Sequence, residues 1–222
     1  MIAKLITDLG DAAFLLPASA IVAAHLLLAK SKWAAVAWVS TVALCAALTL
    51  WTKLAYFACG QQFPGLAIHS PSGHASLSTT FYLCGSLMLS FKRERHAQLA
   101  LIGAGALLVL AIAASRVWLH AHTPLEAVLG MAIGLICVAW FVILYRRSAR
   151  EALPWGWLLA VTVALAVATH GHHVGVENRL ADLAARLRLA GLGYVAICPP
   201  DKQWAVAREV AAKPAATAAG GN

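Results

Sequence analysis

Charge is what this sequence has least of. Asp, Glu, Lys and Arg make up 12% of its 222 residues, only 9 residues are acidic, and 61% of the chain is hydrophobic. A soluble domain of this length does not need so much apolar surface, whereas a polytopic membrane protein does. The net charge is +8, but the basic residues stand in short clusters between apolar runs. No soluble basic face forms, which excludes a nucleic-acid-binding role. Strict alternation of apolar and polar residues is also missing, which excludes a transmembrane barrel. The five cysteines contain no CxxC, and there is no internal repeat. A positively charged stretch ahead of the first apolar run is lacking as well. Asp8 and Asp11 stand there instead, so no cleavable signal peptide is expected.

What is present is a series of long apolar runs. Six segments approach the roughly 20 residues that a membrane-spanning helix needs: 12–29, 33–52, 75–91, 99–117, 127–145 and 154–169. Most are apolar on every face, as helices surrounded by lipid must be, because lipid satisfies no backbone group. The expected fold class is all-α: a polytopic membrane bundle of about six transmembrane helices with short interfacial helices at both ends. Gly130-x3-Gly134 has two readings, a close helix–helix approach or a tolerated pair of glycines.

Lys30 and Lys32 follow the first run, Lys92, Arg93 and Arg95 the third, and Arg146, Arg147 and Arg150 the fifth. The positive-inside rule makes those loops cytoplasmic and turns the loops holding His74 and His122 outward, with both termini outside. Ile2, Leu5, Ile6 and Leu9 recur at helical spacing and predict a short interfacial helix. Val176, Leu180, Leu183 and Leu187 repeat that pattern near the other end. The chain therefore divides into a transmembrane domain over 1–175, an amphipathic segment over 176–210 and an Ala/Gly-rich disordered tail over 211–222. Cys45, Cys84 and Cys137 lie within apolar runs as small packing residues. Cys59 and Cys198 fall outside them on the external side, where a disulfide between them is allowed.

Two segments where apolar runs meet loops carry the chemistry. In Ser70-Pro71-Ser72-Gly73-His74, Ser70 reads as an N-cap and Pro71 as the first helical residue. The amides of Ser72, Gly73 and His74 would then point into a helix N-terminus, a natural anion site. The bland reading is a well-capped helix, which has no need of His74. The second segment is Ser115-Arg116-x5-His122-x3-Glu126. The Arg116 fork can hold two phosphate oxygens or snorkel to the interface. Glu126 also has two readings. It closes a capping box with Thr123, or it accepts a hydrogen bond from His122, fixing the tautomer as the third member of a triad does. His120 reads as a polar interface residue. Lys53 ends the second run and adds a cation. Ionisable groups at membrane depth are rarely placed without a use.

These segments resemble the type 2 phosphatidic acid phosphatase (PAP2) superfamily, which shares its site with vanadium haloperoxidases and glucose-6-phosphatase. The family's motifs are K-x6-RP, PSGH and SR-x5-H-x3-D. The second stands intact as Pro71–His74. The third is present with Glu126 in place of Asp. The first keeps Lys53, but Gly60 and Gln61 stand where Arg-Pro belongs. The resemblance covers roughly residues 53–145. It implies His122 as the nucleophile, Glu126 as its orienting group and His74 as the acid that protonates the leaving oxygen. It also implies that Lys53, Ser72, Gly73 and Arg116 hold the phosphate, with no metal or other cofactor.

The implied function is hydrolysis of a phosphomonoester or diphosphate of a lipid through a phosphohistidine, because a site at span ends suits a headgroup whose tails stay in the bilayer. Phosphatidic acid, phosphatidylglycerol phosphate, an isoprenyl diphosphate and a lipid A phosphate are the candidates. The expected location is a bacterial inner membrane with the site facing the periplasm. Two alternatives stand beside this reading. The altered first motif suits a weak or inactive relative that binds or moves phospholipid. His120-x-His122 and His170-x-His172-His173 suit a metal-dependent membrane protein, against which no HExxH or thiolate cluster accompanies them.

Overall fold

A computed structural model of the chain describes residues 2–59 and 70–146, together with positions 164, 165, 168 and 183. Among these residues every element is helical: α1 (Ile2–Asp8), α2 (Ala12–Leu28), α3 (Lys32–Cys59), α4 (Gly73–Ser90), α5 (Arg95–Trp118) and α6 (Pro124–Tyr145). The protein is an all-α helix bundle. α3, α5 and α6 contain stretches long and apolar enough to cross a membrane, and α1 and α2, bent by 41° at a short break, qualify together as one broken span. The sixth expected run, 154–169, lies outside the described residues except at 164, 165 and 168. The amphipathic segment 176–210 lies outside them except at 183, and the tail wholly so. The chain divides into two compact units, Met1–Thr49 with Pro71–Val174, and Leu50–Ser70 with Gly175–Asn222.

α4 was expected to span like its neighbours, yet its composition is too polar to qualify. Its position in the first unit explains this. It packs on α2, α5 and α6, and Ser76, Ser78, Thr79 and Thr80 are buried. Their hydroxyls donate to carbonyls one turn back, as in Thr79 Oγ1 to Ala75 O at 2.6 Å and Thr80 Oγ1 to Ser76 O at 2.9 Å. Thr49 and Ser76 also join α3 to α4 through their hydroxyls at 2.9 Å. Polar side chains satisfied in this way meet no lipid, so the helix needs little hydropathy.

Lipid gives helices no hydrophobic reason to associate, so close packing and hydrogen bonds hold a bundle together. Here glycines set the spacing. A Cβ at Gly130 would collide with the carbonyl oxygen of Ser72, and one at Gly134 would lie 2.5 Å from Thr79 Cβ. The Gly130-x3-Gly134 pair is thus a close approach of α6 to α4. Gly105 lets α5 approach α4 in the same way, against Ser86. Farther along the bundle, Trp38 meets the rings of Phe81 at 5.5 Å and Phe141 at 6.3 Å, edge to face, and its Nε1 donates to Ser19 O at 3.0 Å. That one side chain ties α3 to α2, α4 and α6. Near the start of α4, Ala75, Ala113 and Ala127 form a cluster of small buried residues, which brings the ends of α4, α5 and α6 together.

Candidate active site

The turn between α5 and α6 is set by its backbone. His120 adopts φ 53°, in the left-handed region. This lets its amide bond Val117 O at 3.0 Å and the Ala121 amide bond Arg116 O at 3.0 Å, the double closure that ends many helices. The His122 amide reaches the same Arg116 carbonyl at 3.3 Å. His120, expected as a polar interface residue, is exposed and serves as the residue that turns the chain.

α6 then begins with Thr123 as N-cap and Pro124 in the first turn. Glu126 Oε2 accepts from the Thr123 amide at 3.1 Å, and Thr123 Oγ1 accepts from the Glu126 amide at 3.3 Å. The same Oε2 lies 3.0 Å from His122 Nδ1. The two readings of Glu126 are therefore not rivals, since one oxygen closes the capping box and holds the imidazole. The side chains of His122 and Glu126 are only 8% and 4% exposed, so the ring has little freedom to leave its partner. With Nδ1–H donating to the carboxylate, the lone pair sits on Nε2.

The start of α4 differs from expectation. The N-cap is Ser72, not Ser70, and helix begins at Gly73. Ser72 is fully buried, its hydroxyl accepts from the Ala75 amide at 3.4 Å, and its own amide donates to Glu126 O at 3.0 Å. The Ser72 amide was expected to face an anion. It is instead spent on fastening the start of α4 to the start of α6, a contact that Gly130 makes room for. Gly73 and His74, as the first two helical residues, keep amides with no intrahelical acceptor.

Two residues that sequence reasoning did not assign to the site complete it. Asp11, the N-cap of α2, accepts from the Ala13 amide through Oδ1 at 2.7 Å, while its Oδ2 lies 3.4 Å from His74 Nε2. Thr7 Oγ1 accepts from Arg116 Nη1 at 3.3 Å. Thr7 lies in the last turn of α1 and Asp11 at the end of the α1–α2 break, which sits closely on α4 and α5. A Cβ at Gly10 would lie 2.6 Å from Ile112 Cγ2 and 3.4 Å from His74 Cδ2, and Tyr82 donates to Leu9 O at 2.8 Å. α1, expected only as an interfacial helix, packs on α5 and buries Thr7 while Ile2 and Leu5 stay exposed. The signal for Asp11 was its position, a capping carboxylate before an apolar run in a chain with few acids.

The structure thus joins His122 to Glu126, Ser72 to the Glu126 backbone, His74 to Asp11 and Arg116 to Thr7. Lys53 is buried near the end of α3, in the second unit. Gly60 and Gln61 of the altered first motif, the histidines at 69, 170, 172 and 173, and the Cys59–Cys198 pairing lie outside the described residues. Cys45, Cys84 and Cys137 are buried free thiols.

Comparison with known proteins agrees with the family resemblance. A protein of Klebsiella pneumoniae named as an uncharacterized 22.5 kDa protein in the cps region is 26% identical over 186 residues, covering 82% of this chain and 89% of its own. No solved structure matches the chain. The PAP2 superfamily matches residues 34–150, more than half of the chain and the whole stretch from Lys53 to Glu126, and by that match the chain belongs to the PAP2 superfamily.

Proposed function

We propose that this protein is an integral membrane phosphatase that hydrolyses a phosphomonoester or diphosphate of a lipid at the outer face of a bacterial inner membrane. The observation that carries the reading is the buried His122–Glu126 pair, Nδ1 to Oε2 at 3.0 Å. It puts the lone pair for attack on Nε2 and places a negative charge behind the ring where positive charge develops. In the reaction, His122 Nε2 attacks phosphorus while the bond to the leaving oxygen breaks and His74 gives that oxygen its proton. Water then attacks the phosphohistidine, passes a proton to His74 and releases phosphate. Arg116 and the amides of Gly73 and His74 supply the positive groups for the transferring oxygens. Positioning and charge stabilisation are most of what phosphoryl transfer demands. A second reading rests on Gly60 and Gln61 in place of Arg-Pro: a relative that binds or moves phospholipid with little turnover.

Phosphate release from phosphatidic acid in detergent micelles separates the two. The phosphatase reading expects release by the wild type and loss of nearly all of it in His122→Ala. Equal release from both proteins would remove it.

A further inference from the structure

We propose that Asp11 is the positioning residue for the proton-donating imidazole of His74, so that the α1–α2 break is part of the catalytic apparatus. The inference rests on the reading of His74 as general acid and extends it to a segment outside the stretch that matches the family, 34–150. Three observations converge on it. Asp11 Oδ2 lies 3.4 Å from His74 Nε2, with side chains 9% and 22% exposed. The Cδ2 atom next to that nitrogen also faces residue 10, so the whole Nε2 edge of the ring is turned to the break. The break is held by Tyr82 to Leu9 O, and the end of α1 that leads into it by Arg116 to Thr7 Oγ1.

The consequence is a division of labour between two imidazoles. Glu126 holds Nδ1 of His122 and puts the attacking lone pair on Nε2. Asp11 holds Nε2 of His74 and leaves Nδ1–H of the imidazolium as the proton to be given away. On attack, the N–P bond at His122 forms, the bond from phosphorus to the leaving oxygen breaks, and the His74 Nδ1 proton moves to that oxygen. His74 is left neutral with its Nε2–H still on Asp11. Hydrolysis reverses the roles, because a proton from the attacking water returns to Nδ1. Asp11 holds His74 with one oxygen while the other caps α2, as Glu126 serves both His122 and the cap of α6.

Asp11→Asn tests this without unfolding the break. Asparagine caps helices as well as aspartate does, so the Ala13 contact survives, whereas an amide NH2 facing Nε2 cannot accept its N–H and no longer holds the ring. Two probes are compared. Phosphatidic acid expels an alkoxide and needs the acid, whereas p-nitrophenyl phosphate expels a stabilised phenolate and does not. Because hydrolysis of the phosphohistidine uses His74 with either probe, the comparison is made on the first, phosphorylation step by rapid quench: the variant should lose about 10–10²-fold of the phosphatidic acid rate, up to the low end of what a general acid supplies, and keep the p-nitrophenyl phosphate rate within about threefold. His74→Ala should lose at least as much of the phosphatidic acid rate, and the double variant should be no worse than His74→Ala alone. An equal fall on both probes, or no fall on either, would overturn the proposal. A ring-nitrogen NMR measurement on the purified protein needs no turnover. Asp11→Asn should move the His74 signals and leave those of His122 in place, and unmoved His74 signals would also overturn it. A wild type silent on both probes would count against the phosphatase reading itself, with the NMR result still deciding the contact.

Discussion

Replacing Glu126 by glutamine keeps the shape of the side chain and removes its charge. Glutamine also closes a capping box at this position, so the start of α6 should persist and stability should fall by no more than about 1 kcal/mol, the worth of one ordinary hydrogen bond. The rate is another matter. Attack by Nε2 leaves His122 cationic, 3.0 Å from Glu126 Oε2. At an effective dielectric of about 20, unit charges at that separation attract by roughly 5 kcal/mol. At 1.36 kcal/mol per decade this sets a ceiling of about 10⁴ on the loss, and the dipole of the amide recovers part, so a fall of about 10²–10⁴ in kcat is expected. Glu126→Ala should lose as much rate and also stability, since the Thr123 amide and His122 Nδ1–H lose their acceptor at about 1–3 kcal/mol each where buried. The assay is phosphate release from phosphatidic acid micelles beside a thermal melt of the same preparations. Wild-type turnover in Glu126→Gln, with Glu126→Ala losing stability alone, would show the residue to be a helix cap and nothing more.

Other outcomes follow from the packing and the cation. Gly130→Ala drives a methyl into the Ser72 carbonyl, which is backbone and cannot swing aside. It should cost about 1–3 kcal/mol and disturb the start of α4, lowering both melting temperature and turnover. Gly103→Ala, with open space around it, should be neutral or stabilising by up to about 1 kcal/mol. Equal behaviour of the two glycine variants would contradict the close approach of α6 to α4. Arg116→Lys keeps the charge but loses the planar fork. It should lower kcat/KM by about 10–10³, with weaker inhibition by vanadate measured on the same preparation.

The helices were legible in the sequence because lipid leaves few choices: apolar runs of this length must be helical, and four of the five described runs agree at both ends within a few residues. α3 is the exception at its C-terminal end, running on to Cys59. The chemistry was legible where it was local. His122 and Glu126 are one helical turn apart, so both readings of the carboxylate could be written down, though not that one oxygen satisfies both. Contacts between distant segments were not legible. Pro71 favoured Ser70 as the cap of α4, and what moved the cap to Ser72 is a bond from its amide to Glu126 O, across more than fifty residues of chain. Asp11 and His74 are farther apart still, and no periodicity connects them. Residue 11 looked informative only about what the chain begins with, until the bend at the α1–α2 break placed it beside an imidazole.

The most direct test of the central claim is capture of the phosphorylated enzyme. Wild-type protein incubated briefly with a phosphate-labelled lipid, quenched in alkali and mapped by mass spectrometry should carry an acid-labile phosphoryl group on His122, with none in His122→Ala. Turnover by the wild type with no phosphorylated histidine, or a label on a residue other than 122, would contradict the account.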